Sequence, residues 1–303
     1  MAMSPIPEQL GSVSDNTTER SANGSFVPGA PGGFDLDKYV QISSLLLASL
    51  GLLGNGAVLW LLGFRIQRTA FSVYILHLAA ADALFLCCSL LISIDKILKF
   101  IDSSFVFMAT LCLRYISYAA GLSLLAAIST ERCLCSLFPL WYRCHRPKHV
   151  SAAVCAALWL LISSPALTNF VLCFFKLAPH SCPHFVIIRV LWFLLFTPLL
   201  CVSSLTLLLR VQCGSRRRRP PRLYLLVLLA VLVFLSCGLP LGIGDFINNH
   251  FQLKSMPQWL SSLLACVNSS ANPFIYFFLG SQKRKRREPL RLVLQRALGE
   301  EQE

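Results

Sequence analysis

Charge is what this chain has least of. Charged residues make up 14% of the 303 positions and hydrophobic residues 55%, with a mean hydropathy of +0.64. Soluble domains carry about 25% charged residues, so a water-facing surface for a chain of this size is excluded. Acidic residues are scarcer still, 14 Asp and Glu against 27 Lys and Arg. The net charge of +13 does not make a nucleic-acid surface, because the basic residues sit in short connectors between apolar runs. The 13 cysteines include no Cys-x-x-Cys pair and no Cys/His cluster with metal-ligand spacing, so no metal or cofactor is expected. Cys87, Cys88, Cys133, Cys155, Cys201, Cys237 and Cys266 lie inside apolar runs and read as small, inert packing residues. No nucleophile stands beside a base on a shared face, which excludes an enzyme. No basic segment followed by an apolar core opens the chain, so the first apolar run is expected to serve as an uncleaved insertion signal.

What is present is hydrophobic length. Seven apolar runs cover residues 39–64, 71–94, 104–136, 150–173, 184–211, 222–247 and 257–280. A hydrocarbon core of roughly 30 Å takes about 20 helical residues to cross, and helix is the form that satisfies the backbone there. The sequence predicts an all-α membrane protein, a seven-helix bundle over 39–280. Residues 1–38, rich in Ser, Gly, Pro and Asn, are expected to be a disordered tail. Residues 281–303 carry a final amphipathic stretch: Leu290, Val293, Leu294, Ala297 and Leu298 form one apolar stripe opposite Arg291, Gln295 and Arg296, behind Pro289. It is expected to lie on the inner leaflet as a membrane-surface helix, its basic residues facing anionic lipid.

Basic residues set the orientation. Arg65 and Arg68, then Arg143, Arg146 and Lys148, then Arg216 to Arg219 with Arg222, follow runs one, three and five, and Lys283 to Arg287 follow run seven. The opposite connectors hold Lys96, Lys99, Lys176 and Lys254, partly balanced by Asp95, Asp102 and Asp245. The positive-inside rule then places the N-terminus outside and the C-terminus in the cytoplasm. The acceptor sequons at Asn16 and Asn23 fall in the tail assigned to the outside.

A few polar groups sit where they are costly. Asp82 lies near mid-bilayer, with Asn55, Asn268, Ser269 and Asn272 as candidate partners. These form either a static hydrogen-bond staple or a hydrated core that changes partners between states. Arg114 precedes Arg132 by 18 residues, five helical turns, so both lie on one face about 27 Å apart. Tyr118, Gly121, Leu125 and Ile128 fill the stripe between them. Arg114 points into the bundle or snorkels to the headgroups; Arg189 and Asp245 sit at comparable depth. Pro165, Pro198, Pro240 and Pro273 fall once in each of spans four to seven, each permitting a bend. Glu131-Arg132-Cys133 ends span three, followed by Pro139-Leu140 and Arg143, an inner face suited to a cytosolic partner. His77 reads as a packed core residue.

Gly54-Asn55, Leu78 to Asp82, Glu131-Arg132-Cys133, Trp159, Cys237-Gly238-Leu239-Pro240 and Asn272-Pro273-x-x-Tyr276 occur in order at the right ends of seven spans. Over residues 39–298 this resembles the rhodopsin-like G-protein-coupled receptors. Gly121 to Leu125, Ser129 to Leu134, Trp141-Tyr142-Arg143-Cys144, Arg146 to His149, Phe234 to Pro240, Asn268 to Pro273 and Leu292 to Leu298 make it similar to the Mas-related branch. The resemblance implies a plasma-membrane receptor that binds an extracellular ligand and engages heterotrimeric G proteins of the Gq/11 and Gi/o classes, in sensory or nociceptive signalling. Membrane lipids and a homo- or hetero-dimer partner are compatible with it; nucleic acid is not. It implies coupling roles for Glu131, Arg132, Leu140, Arg143 and Tyr276, and a switch role for Asn55, Asp82, Asn268, Ser269, Asn272, Pro273 and Pro240.

The departures carry information. Phe107 stands where most such receptors have a cysteine, whereas Cys173 and Cys182 match the bridge that Mas-related receptors use between spans four and five. Gly238 replaces the aromatic toggle before the span-six proline. Gly121 replaces a hydroxyl that sodium-binding receptors supply, leaving at most a weak sodium site at Asp82. Relatives that bind cationic ligands use an acidic pair where this chain has Asn169 and Val186. With Arg114, Tyr118, Asn169, Phe170, Arg189 and Asp245 as candidate pocket residues, repulsion between like charges disfavours a polybasic peptide and favours a small acidic or zwitterionic ligand. Two other classes are weighed. A transporter would show internal repeats and a path of ionisable groups, which are absent. A receptor-like modulator of a partner receptor would share these motifs.

Overall fold

The computed structural model describes residues 36–67, 69–99, 101, 103–147, 149–177, 182–213, 222–251, 257–281 and 289–298. The sequons at Asn16 and Asn23 and the basic runs at 216–219 and 283–287 lie outside them. So do the side chains of Arg143, Cys182, Val186 and Asp245.

Seven long apolar helices account for most of the described chain. They are α1 (Leu36–Trp60, prolonged by a π-helical turn over Leu61–Arg65), α2 (Ala70–Leu98), α3 (Ser104–Leu137), α5 (Val150–Phe174), α6 (Cys182–Cys213), span six and α9 (Gln258–Ser281). Span six consists of α7 (Arg222–Val233), a π-helical turn (Phe234–Gly238) and α8 (Leu239–Phe251). Two short helices complete the set, α4 (Pro139–His145) between spans three and four and α10 (Leu290–Ala297) after span seven. The expected seven-span all-α bundle is what the chain forms, and the chain is a multi-pass membrane protein.

Local chemistry sets the ends. Thr69 caps α2 reciprocally: its backbone N–H donates to Ser72 Oγ at 2.7 Å, and the Ser72 N–H donates to Thr69 Oγ1 at 3.2 Å. The helix closes at Lys99, left-handed at φ 48°. Pro139 occupies the first turn of α4, where its missing N–H costs nothing.

Span three is the axle. It packs against α2, α5, α6 and α7, while α9 closes the ring by packing on α1, α2 and span six. In α5 the buried residues are Ser151, Cys155, Leu158, Ile162 and Ala166, a single stripe; Leu160 and Leu161 on its flank are exposed. A helix apolar all round with one protein-facing stripe is what lipid as solvent requires.

Close approach is bought with small residues. A side chain at Gly51 would strike Ser270, and a Cβ at Gly54 would lie 3.0 Å from Pro273 Cβ, so α1 and α9 meet nearly backbone to backbone. The amphipathic α10 is present, but Val293, Leu294, Ala297 and Leu298 are buried against the protein, chiefly α9 with a touch of α7. Leu290 and Leu292 remain exposed. Much of the stripe expected to face lipid is thus covered by the bundle itself.

Candidate functional site

Polar groups gather in three clusters, one around Arg114, one around Asp82 at mid-bundle and one around Arg132. At mid-bundle Asp82 is 4% exposed and accepts from Asn272 Nδ2 at 2.7 Å. Asn55 donates to the carbonyls of Gly51 (2.9 Å) and Ser269 (3.0 Å), tying α1 to α9 one turn before Pro273. The structure thus sets Asn272 on Asp82 and Asn55 on the backbone of Gly51 and Ser269. Asn268 is buried nearby and faces Gly238 of span six. Tyr276 is fully buried in the main apolar core. Among the described residues no group of three or more His, Cys, Asp or Glu could hold a metal.

At the Arg132 end the acid and base that adjoin in sequence are not each other's best partners. Glu131 Oε1 lies 2.6 Å from Arg146 Nη2 and accepts from the Tyr142 hydroxyl; Arg132 stays 3.8 Å away. Only the Arg146 contact is within N–H···O bonding reach, so Arg146 carries the charge pairing. Arg132 instead stacks over Phe71 of α2 at 4.8 Å and donates weakly to Tyr142 at 3.4 Å. Burial, then the Glu131 carboxylate, push the Tyr142 hydroxyl well above its ordinary range, so it stays protonated and a donor. Leu140 on α4 is 81% exposed. Arg143 lies outside the described side chains. Arg146 and Tyr142 as holders of Glu131 were not legible: nothing in their spacing shows that α4 folds back onto span three.

At the other end Arg114 and Arg189 part company. Arg114 Nη2 donates to Ser262 Oγ of α9 at 3.1 Å, and its guanidinium lies 5.3 Å from the Phe85 ring of α2. Arg114 and Arg132 do share a face, both resting on phenylalanines of α2. Arg189 faces the other way, 4.4 Å from the Tyr115 ring. With Asn169 and Phe170 it lines a cavity of about 460 Å³ between α3, α5 and α6. The candidate ligand residues therefore divide between two sides of span three. Cys173 is disulfide-bonded and its Sγ lies 2.9 Å from Asn169 Oδ1; the side chain of Cys182 is outside the described residues.

Tyr118 lies one turn from Arg114 on the same side, against the same Phe85 ring. Its hydroxyl donates to the Gly238 carbonyl at 3.0 Å, and its ring lies 6.3 Å from Phe85 and 6.5 Å from Phe234. A Cβ on Gly238 would come within 2.6 Å of Phe234 Cδ2, and one on Gly242 within 2.7 Å of the Tyr118 hydroxyl. The π-helical turn just before Pro240 thus wraps Tyr118, with Phe234 filling the space a larger residue at 238 would need. Sequence reading missed Phe234, although its place one turn before Gly238 was a signal.

Span six is interrupted by a π-helical turn, an acid-amide pair is buried at mid-bundle and Arg132 rests under cover of Phe71 at one end; comparison with known proteins decides what kind of bundle this is. The pattern of the 7 transmembrane receptor (rhodopsin family) matches residues 54–276. The chain is 46% identical over 270 residues to Mas-related G-protein coupled receptor member X2 of Macaca mulatta, covering 84% of this chain and 81% of that one. It is 43% identical over 281 residues to member A of Rattus norvegicus, covering 88% and 92%, and 45% identical over 269 residues to member X1 of Mus musculus, covering 84% and 82%. The chain belongs to the Mas-related G-protein-coupled receptors. This Mas-related receptor is not an enzyme; its partners are an extracellular ligand and a G protein.

Proposed function

We propose that this receptor sits in the plasma membrane with its N-terminus outside, and transmits binding of a small acidic or zwitterionic ligand to G proteins of the Gq/11 and Gi/o classes in sensory or nociceptive signalling. The observation that carries the ligand class is the pair of guanidiniums, Arg114 and Arg189, on the two sides of span three at one end of the bundle. Asn169, where cationic-ligand relatives place an acid, supports the same charge preference. A polybasic ligand would meet like charge in a poorly hydrated site. Ligand binding favours a state in which span six swings about its π-turn and Pro240, and Arg132 leaves Phe71 to face the G protein. The bridge from Cys173 goes to Cys182, and Asn16 and Asn23 carry glycans.

The test is a panel of small acids, zwitterions and polybasic peptides on transfected cells, read by calcium release and cyclic-AMP fall, with Arg132→Ala as the uncoupled control. Responses to the acids that disappear in Arg114→Ala support the reading. Activation by polybasic peptides alone, unchanged in Arg114→Ala, overturns the ligand class. Cys133 and Gly238, which depart from the wider rhodopsin-like pattern, favour a second reading, a modulator of a partner receptor without its own signalling. Agonist-independent G-protein activation that Arg132→Ala removes would eliminate it.

A further inference from the structure

Span five is stitched to span three twice, once on each side of Pro198. Before the proline, Trp192 Nε1 donates to Ser123 Oγ at 2.9 Å, and the Ser123 hydroxyl donates in turn to the Ala119 carbonyl at 2.8 Å. After it, three hydroxyls meet. Ser203 Oγ donates to Ser129 Oγ at 2.9 Å, and the Ser129 and Ser204 oxygens lie 2.8 Å apart. Ser204 donates to the Leu200 carbonyl at 2.6 Å, which Ser203 also reaches at 3.1 Å. All three serines are buried, as are Leu200 and Leu207, one turn to either side of the pair on α6. Arg132 stands one turn beyond Ser129 on α3.

The two stitches differ in what is left when they part. An indole N–H only donates, so withdrawing Trp192 from Ser123 strands a donor in an apolar surround. The hydroxyl stitch strands nothing. Each hydroxyl carries one proton, and one direction satisfies all three: Ser203 to Ser129, Ser129 to Ser204, Ser204 to the Leu200 carbonyl. If the helices separate, Ser204 keeps the Leu200 carbonyl, Ser203 turns to the same oxygen, and Ser129 turns to the carbonyl four residues back, as Ser123 already does. Hydroxyls in series polarise one another, so losing one weakens the others and the bridge opens as a unit. Pro198, which cannot donate to the helical ladder, is the compliant point between the two stitches. Span five also packs on both halves of span six, so movement of span six bears on it.

We propose that Ser129, Ser203 and Ser204 form a release latch for the inner half of span five. It is closed while Arg132 rests under Phe71, and it opens when α6 pivots at Pro198 about the fixed Trp192–Ser123 stitch. The latch goes with membership of the receptor family and is independent of the ligand's charge; Arg114 and Arg189 take no part in it.

The experiment uses the full-length receptor in nanodiscs without agonist. Nucleotide exchange on purified Gq and Gi heterotrimers is read beside amide deuterium uptake along span five. Ser129→Ala removes the α3 member and should raise nucleotide exchange about threefold, below the roughly fivefold worth of one net hydrogen bond because the open form keeps its fallback partners. Ser203→Ala with Ser204→Ala should give the same rise, and the triple variant no more, since all three changes open one latch. Deuterium uptake should rise over 199–209 and stay at wild type over 187–196. Ser123→Ala, at the fixed stitch, should lower the thermal unfolding midpoint without raising nucleotide exchange. Effects that add in the triple variant, or wild-type uptake over 199–209 in Ser129→Ala, would overturn the latch. Should neither heterotrimer respond to any variant, the coupling reading fails, and uptake alone decides the latch.

Discussion

The Tyr118 hydroxyl donates to the Gly238 carbonyl at 3.0 Å, fastening span three to the π-helical turn of span six. That carbonyl belongs to the turn immediately before Pro240, whose missing N–H already weakens the helical ladder. A swing of span six must break the bond or carry Tyr118 with it. Tyr118→Phe should therefore cost about 1 kcal/mol of stability and raise agonist-independent signalling. Thermal unfolding of the purified receptor and inositol phosphate accumulation measure the two. A variant with wild-type values in both would show that the contact holds nothing.

Gly238 is small because Phe234 needs the room. A Cβ at 238 would sit 2.6 Å from Phe234 Cδ2 and 3.1 Å from Asn268 Cγ, while the Phe234 ring is 1% exposed. Gly238→Ala should destabilise by about 1–3 kcal/mol through overpacking. Phe234→Leu should recover more than half of that loss in the double variant. Additive losses would mean that the two residues do not compete for one space.

Breaking the Glu131–Arg146 pair should loosen α4 from span three. Arg146→Ala leaves a buried carboxylate without its nearest cation, at a cost of about 3 kcal/mol. Glu131→Gln keeps an acceptor for the Tyr142 hydroxyl and should be milder. Both should raise basal G-protein activation, and the double variant should be no worse than Arg146→Ala alone. An Arg146→Ala receptor that signals and unfolds like wild type would restore Arg132 as the effective partner of Glu131.

At mid-bundle the Asp82–Asn272 bond invites an exchange. Asn272→Ala strips a 2.7 Å donor from a carboxyl group that is 4% exposed and should cost about 1–3 kcal/mol. Asp82→Asn with Asn272→Asp puts acid and amide back in contact with roles reversed. Surface expression of the exchange should exceed that of Asn272→Asp alone, measured by antibody against a tagged N-terminus. Equal expression would place the stabilising contacts of Asp82 elsewhere.

The bundle and its mid-span core were legible because lipid makes them so. Apolar length marks each crossing, and a carboxylate such as Asp82 survives there only if amides such as Asn272 approach it. What could not be read is which helix a side chain meets once its own face is known. Arg114 and Arg189 sit at similar depth in the sequence, yet one meets Ser262 on α9 and the other Tyr115 on the far side of span three. Helix rotation and neighbour order decide that, and neither leaves a periodic trace. Arg146 was hidden for a related reason: its place depends on the fold-back of α4, a short helix with no apolar period long enough to register.

The same limit explains α10, and it yields a further prediction. Its stripe could equally cover lipid or protein, and the sequence holds no term that separates the two. In the structure Leu294 is fully buried and the Val293 carbonyl sits against Gly280, so any side chain at 280 would collide with backbone. An eight-residue helix is far too short to persist on its own in water, so α10 should form only while docked. Gly280→Val and Leu294→Asp should each abolish amide-exchange protection over 290–298 and leave the protection of α2 and α3 unchanged. If instead the helix stays protected in both variants until anionic lipid is removed from the nanodisc, the leaflet rather than span seven is what holds it.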